Sequence, residues 1–348
     1  MKKLMVRCIW AALLLVGSLS FGGCGNSTTA ELNVYNWGDY IDESVLKEFE
    51  KKYQIKVNYD TFTTNEDMYV KLKAGGSNYD VIFPSDYMIE RMIAENMLEK
   101  LDFNNIPNYK YIGTNFRNLD YDPQNEYSVP YMWGTVGILY NRKLVKSKPD
   151  SWKVLWDQRY AKQILMMDSQ RDSIGITLKM LGYSLNSHDP GQLEEAKQAL
   201  IAQKPLVLAY VVDEVKDKMI SGEAALAVVW SGDAVYCCKE NPDLAYVIPK
   251  EGSNFWFDAM AVCKGTKHKE EAEKFINFMC EPEIAFRNAD YIGYASPHTE
   301  AVKRLPRELT SDRSAYPLPE DLKNCEVFST LGNTLKLFDR IWTEIKAE

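Results

Sequence analysis

Between residues 32 and 97 short extended runs alternate three times with helical patterns, and this alternation restricts the fold more than any other feature of the chain. Leu32, Val34 and Tyr35 form a β-prone run, and residues 43–50 then place Val45, Leu46 and Phe49 at helical spacing. Residues 55–59 alternate as a strand, and 65–72 are helical, with a C-cap expected near Gly75 and Gly76. Asp80-Val81-Ile82-Phe83 reads as a buried strand stopped by Pro84, and 88–97 as the next helix. Parallel strands need crossover connections, and helices are the usual ones. The order β-α-β-α-β-α therefore implies a parallel sheet covered by helices.

The pattern changes at 127–141, where a longer extended stretch has the character of a chain crossing from one lobe to another. Beyond it, Ser151-Trp152 opens a helix, 164–167 is a strand ending in Asp168, and 173–181 is helical. Strands follow at 206–211 and 224–229, each preceded by a helix (192–202 and 213–220), then at 244–248 and 257–262, the last a candidate return crossing. The tail ends in a helix over 334–345. With 348 residues there is material for about two domains.

Residues 1–24 read as an export signal: Lys2, Lys3 and Arg7, an apolar run over 9–16, then small residues up to Cys24. The apolar run is too short to span a bilayer as a helix. Ser20-Phe21-Gly22-Gly23-Cys24 resembles a bacterial lipobox, which makes Cys24 the expected lipidated N-terminus, although Phe21 stands where an aliphatic residue is usual. Residues 25–30 are then a short polar tether. Loss of the three positive charges of the signal takes the formal net charge from −8 to −11. An acidic chain of this kind excludes nucleic acid as a partner and attracts a cationic solute.

The remaining cysteines, Cys237, Cys238, Cys263, Cys280 and Cys325, are odd in number and lack C-x-x-C spacing, which argues against a disulfide framework or a zinc site. Buried free thiols are expected at Cys263 and Cys280. The three histidines, His188, His268 and His298, stand in polar contexts and are expected at the surface. No H-E-x-x-H, nucleophile elbow, P-loop or dinucleotide fingerprint occurs, so no enzyme is indicated and no cofactor or metal is implied.

The expected strand ends are richer in chemistry. The first run leads into Trp37, Asp39 and Tyr40; Ser85 and Tyr87 follow 80–83; Asp168, Ser169 and Asp172 follow 164–167. Trp230, Ser231 and Asp233 follow 224–229, Trp256 and Asp258 open the return strand, and Tyr294 follows a helical segment. Open α/β sheets bind ligands at the carboxyl ends of their strands. Singly, each tryptophan could be packing and each aspartate a helix cap. A tryptophan and an acid two or three residues apart nevertheless recur in Trp37-Gly38-Asp39, Trp230-Ser231-Gly232-Asp233 and Trp256-Phe257-Asp258. An aromatic face beside a carboxylate suits an organic cation.

Tyr-Asn-Trp-Gly-Asp-Tyr at 35–40, Tyr-Asp-Val-Ile-Phe-Pro-Ser-Asp-Tyr at 79–87, Ser-Val-Pro-Tyr-Met-Trp-Gly-Thr at 128–135, Trp-Ser-Gly-Asp at 230–233, Phe-Trp-Phe-Asp at 255–258 and Ile-Gly-Tyr-Ala-Ser-Pro at 292–297 resemble the spermidine/putrescine-binding proteins of bacterial polyamine ABC importers. The resemblance implies a two-lobed, type II periplasmic-binding-protein fold with two crossing strands. Lobe 1 would comprise 31–134 and 257–301, and lobe 2 would comprise 135–256 and 302–348. It implies capture of a polyamine between the lobes and delivery to the transmembrane subunits of a permease. The protein would be an exported monomer, periplasmic or anchored by lipid to the outer face of the cytoplasmic membrane.

The same resemblance places an aromatic box on Trp37, Tyr40, Tyr87, Trp230, Trp256 and Tyr294, with Ser85 as a polar contact. Asp258 matches the acid that pairs a central or distal amine, Asp172 an acid near one terminal amine, and Asp39 and Asp233 acids of putrescine-type members. Ser169 stands where spermidine-type members often carry an aspartate, although Asp168 is adjacent, and Phe328 replaces a glutamine. These departures leave the preference among putrescine, spermidine and longer polyamines open. A binding protein of the same fold for another organic cation, or a polyamine-sensing lipoprotein, would share the same residues.

Overall fold

A computed structural model of the protein describes residues 30–75 and 78–348. The export segment, Cys24 and tether residues 25–29 lie outside the described residues. Ala30, expected to end the tether, is instead the first residue of a strand.

The first half follows the expected alternation: β1 (Ala30–Trp37), α1 (Ser44–Tyr53), β2 (Ile55–Phe62), α2 (Asn65–Lys73), β3 (Val81–Ile82) and α3 (Asp86–Ala94). The Thr64 hydroxyl caps α2 by accepting the Asp67 amide at 3.0 Å, and Glu66 and Asp67 complement the positive end of the helix. β4 (Ser128–Asn141) is buried at all 14 positions, and β5 (Ile164–Met167) leads into α4 (Gln170–Leu181). Next come α5 (Pro190–Gln203), β6 (Val207–Val211), α6 (Val215–Ile220), β7 (Leu226–Trp230), α7 (Ser231–Glu240), β8 (Leu244–Val247) and β9 (Phe255–Val262). The chain closes with α8 (Lys269–Met279), α9 (Pro282–Ile292), the short turns α10 (Thr299–Val302) and α11 (Arg307–Thr310), and α12 (Leu335–Ala347).

The strands form one connected sheet in the order β2-β1-β3-β9-β4-β7-β5-β6, with β8 also on β4. Parallel pairing is present on both sides, between β1 and β3 and along β7-β5-β6. The two long strands are antiparallel to each of these partners: β4 to β9, β7 and β8, and β9 also to β3. The sheet is therefore mixed. Up to Thr135, β4 pairs with β9, and from Val136 it pairs with β7. Pro130 has no N–H to give to the ladder, and the β4–β9 register shifts just after it, where the Ala259 amide turns to the Pro84 carbonyl instead.

Two apolar cores flank this shared strand. Trp133 contributes to one with Tyr35, Phe62, Met68, Ile82 and Phe257, while Leu139 contributes to the other with Leu165, Val211, Met219 and Val229. Each large side chain so buried contributes about 1.5–3 kcal/mol, so both cores are anchored through one strand. The five cysteines of this region are free thiols, with Cys263 and Cys280 buried as expected.

Two readings of the sequence need correction, and one helix was not expected. His298 is buried, not at the surface: it bridges Ile112, its Nδ1 accepts the Ala301 amide at 3.1 Å, and its Nε2 lies 3.0 Å from the Cys280 carbonyl. That pattern fixes a neutral ring protonated on Nε2, and burial holds its pKa below the usual value. Residues Trp152–Trp156 form a 3-10 turn capped by Ser151 rather than an α-helix. The helix α7, which carries Cys237 and Cys238, has no counterpart among the elements expected from the sequence.

Candidate functional site

The carboxyl ends of β1, β5, β6 and β7 open onto a cleft of about 1170 Å³. All twelve residues singled out in the sequence line it: Trp37, Asp39, Tyr40, Ser85, Tyr87, Asp168, Asp172, Trp230, Asp233, Trp256, Asp258 and Tyr294. They come from segments up to 257 positions apart in the chain, brought together because the strand order interleaves the first and last thirds of the sequence.

Local bonding fixes the aromatic walls. Trp37 donates its indole N–H to the Phe83 carbonyl at 2.8 Å and lies 4.6 Å from Phe62. The Tyr40 loop is held by Tyr131, whose phenol donates to the Tyr40 carbonyl at 2.9 Å, and by Asn36 at 3.3 Å. Tyr294 meets Tyr40 at 5.6 Å and Trp256 at 5.2 Å, the latter edge-to-face at 88°. Two glycines make room for these rings. A β-carbon on Gly232 would overlap the Tyr294 ring, and one on Gly134 would lie 2.7 Å from the Trp256 indole. The glycine of Trp230-Ser231-Gly232-Asp233 is thus a matter of space.

Acids alternate with these rings. Asp258 accepts the Tyr40 hydroxyl on Oδ2 at 2.7 Å, while its Oδ1 has no hydrogen-bond partner among the described residues. Burial pushes its pKa up to about 6, opposed by the Ser85 and Tyr40 hydroxyls and assisted by Asp172. Ser85 is itself oriented by Asn65, through contacts of 3.0 and 3.1 Å. Asp172 accepts Ser169 at 2.7 Å and Asn254 at 3.2 Å, and burial pushes it up to about 6. Asp233 rises to about 6 for the same reason, against the pull of the Lys216 ammonium. Asp233 and Asp258 both act on the Tyr294 phenol, and Asp172 acts on Asp258, so the three carboxylates, Asp172 and Asp258 buried and Asp233 half-buried, follow one another along the cleft in a row.

The remaining candidates are tied at the rim. Asp168 pairs with Lys346 of α12 at 2.9 Å, and Asp39, exposed and held at φ 50°, pairs with Lys216 at 3.0 Å. Tyr87 donates to Glu66 at 3.0 Å and meets Phe328 edge-on at 5.9 Å.

Sequence reasoning missed several lining residues. Asp213 follows the end of β6 and Glu66 follows β2, so the strand-end rule that found the others could have found both. Asp86 is buried, accepts the Tyr87 and Phe257 amides at 2.6 and 2.9 Å, and is pushed up to about 8; it ties α3 to β9. Asn254, Lys216 and Arg171 carried no local signal. The Arg171 guanidinium is buried 4.3 Å from the Phe328 ring and 4.8 Å from Tyr87, donating to the Ser329 carbonyl and to Asn186.

A family model for bacterial extracellular solute-binding proteins matches residues 44–315. The spermidine/putrescine-binding periplasmic protein of Escherichia coli (strain K12) is 34% identical over 349 residues, covering 100% of this chain and 99% of that protein. The putrescine-binding periplasmic protein SpuD of Pseudomonas aeruginosa is 32% identical, with 97% of each covered. Among solved structures, the PotD substrate-binding protein of a spermidine/putrescine ABC transporter from Streptococcus pneumoniae superposes with a TM-score of 0.78 at 42% identity, covering 91% of this chain and 99% of that one. The Tp0655 lipoprotein of Treponema pallidum does so at 0.80 and 29% identity, covering 91% and 100%. With the periplasmic-binding-protein fold and a full-length match of this kind, the chain belongs to the bacterial extracellular solute-binding proteins.

Proposed function

We propose that this protein captures a linear polyamine in the cleft and delivers it to the transmembrane subunits of an ABC permease. The observation that carries the reading is the row of acids Asp233, Asp258 and Asp172, the last two buried and the first half-buried, set among Trp256, Tyr294 and Tyr40. Burying an unpaired ammonium costs several kcal/mol, so a polyamine site must offer one acid per amine and apolar walls for the methylenes between. The unpartnered Oδ1 of Asp258 is an acceptor of this kind. Relatives named for spermidine and putrescine binding support the same ligand class. No bond is made or broken in such capture.

In this reading 31–134 with 257–301 form one lobe, and 135–256 with 302–348 the other, closing over the ligand about β4. The division of β4 between two cores supports it. Closure excludes water, strengthens each ammonium–carboxylate pair and forms the surface a permease can read. The chain is a monomer held at the outer face of the cytoplasmic membrane by lipid on Cys24. Among the described residues no helix is long and apolar enough to cross a membrane.

A zwitterionic ligand is the rival that Arg171 raises. Its guanidinium donates to Ser329 and Asn186 between two rings, and although its Nε has no partner among the described residues, the acids Glu66, Asp86 and Asp172 already act on it and disfavour a further carboxylate. Titration calorimetry with putrescine, spermidine and spermine tests the proposal. Saturable one-to-one binding of at least one is expected, and absence of heat with all three overturns it.

A further inference from the structure

Two basic side chains line the cleft among the described residues, Arg171 and Lys216, and they differ in how firmly they are held. Arg171 is locked by two carbonyl-type acceptors and two rings. Lys216, in the first turn of α6, makes one hydrogen bond, to Oδ2 of Asp39 at 3.0 Å. Its side chain is largely covered (18% exposed), whereas the Asp39 side chain is 70% exposed. A pair with one partner in open water contributes no more than about 1 kcal/mol, and a lysine stem is a flexible four-carbon chain. Asp213 and Asp233 complete its surroundings, and Asp213 Oδ2 also faces Gly38 across the cleft. One end of the acid row therefore already holds an ammonium, supplied by the chain itself.

We infer that Lys216 is a tethered cation that competes with a ligand ammonium for the Asp39–Asp213–Asp233 end and so sets selectivity between polyamines of different charge. The inference rests on the polyamine reading. A dication needs two acids and can take Asp258 with Asp172, leaving the lysine in place, in contrast to the use of Asp39 and Asp233 that the putrescine-type resemblance implies. A trication needs all three positions of the row, so its last ammonium must meet or displace Lys216. Like charges within a few ångströms repel, and salt screens this repulsion only in part inside a cleft. The lysine thus disfavours the longer ligand without touching the two acids that the shorter one uses.

The test is calorimetric titration of the wild type, Lys216→Met and Lys216→Arg with putrescine and spermidine, at low and at high ionic strength. Lys216→Met keeps the length of the stem and removes its charge. Its spermidine affinity is expected to rise at least five-fold, and by more than its putrescine affinity, with the difference shrinking at high salt. Lys216→Arg is expected to keep the wild-type ratio. A merely structural lysine would move both ligands together, so an unchanged ratio in Lys216→Met, or weaker spermidine binding, overturns the inference while leaving the polyamine reading intact. A wild type that binds neither ligand overturns that reading, and this inference with it.

Discussion

The phenol of Tyr40 donates to Oδ2 of Asp258 over 2.7 Å and so fastens the loop after β1 to β9, 218 positions further along the chain. The carboxylate it serves is buried, and ionising it works against the fold: the gap between its usual value near 3.8 and about 6 corresponds to roughly 3 kcal/mol at neutral pH. Asp258→Asn should therefore raise the melting temperature of the ligand-free protein at pH 7.5 while weakening polyamine binding ten-fold or more. Such a trade of stability for function is common at binding sites. Thermal scanning and calorimetry on one preparation check both halves, and a destabilised variant with unaltered affinity would contradict the account.

The same burial governs pH. Folded Asp172, Asp233 and Asp258 hold their protons up to about pH 6, whereas in the unfolded chain they release them near 3.8. At these three sites the folded state thus binds more protons within that window, and the stability they contribute to the ligand-free protein is lost as pH rises from about 4 to 6. An ammonium favours the ionised carboxylates and reverses the trend. The thermal gain from a saturating polyamine should be small at pH 5 and full at pH 7.5. Binding near pH 6 should release protons, seen as heats that differ between buffers of unlike ionisation enthalpy. Identical heats in such buffers would rule out the coupling.

Space is as demanding as charge at Gly232. A methyl group there meets the Tyr294 ring, and overpacking of this sort costs about 1–3 kcal/mol. Gly232→Ala should lower the melting temperature and displace Tyr294 from Trp256 and Tyr40, with affinity falling at least ten-fold. A variant that binds and melts like the wild type would show that the ring has room to move.

Attachment to the membrane is separable from capture. If Cys24 carries lipid, Cys24→Ala should move the protein to the soluble fraction with its polyamine affinity within two-fold of wild type. A variant still recovered with membranes would argue against the lipid anchor.

Much of this site is legible in the sequence because strand ends announce themselves. A β-prone run that stops in Trp37, Asp168 or Trp230 marks both a strand and the edge of a cleft. Lys216 and Arg171 give no such notice: each is one basic residue on an ordinary helix, and only the tertiary fold decides that it points inward. Asp213 was within reach of the strand-end rule but stands two residues past β6, where an aspartate is usually read as a cap. His298 was misread because Pro297 and Thr299 make its surroundings look like an exposed turn, whereas the bridge to Ile112 buries it. The parallel pattern of 32–97 survives in β1 and β3, but the antiparallel crossing strands follow from long-range pairing, which periodicity does not encode.

The indole of Trp256 stands edge-on to Tyr294 in a nearly dry wall, its N–H without a partner among the described residues. Light emitted by an indole depends on the field across its ring, and a positive charge settling beside Asp258 changes that field. In the proposed reading that wall is therefore also a lamp: a change in the colour or brightness of its emission on adding polyamine would report occupancy in real time without attaching a dye.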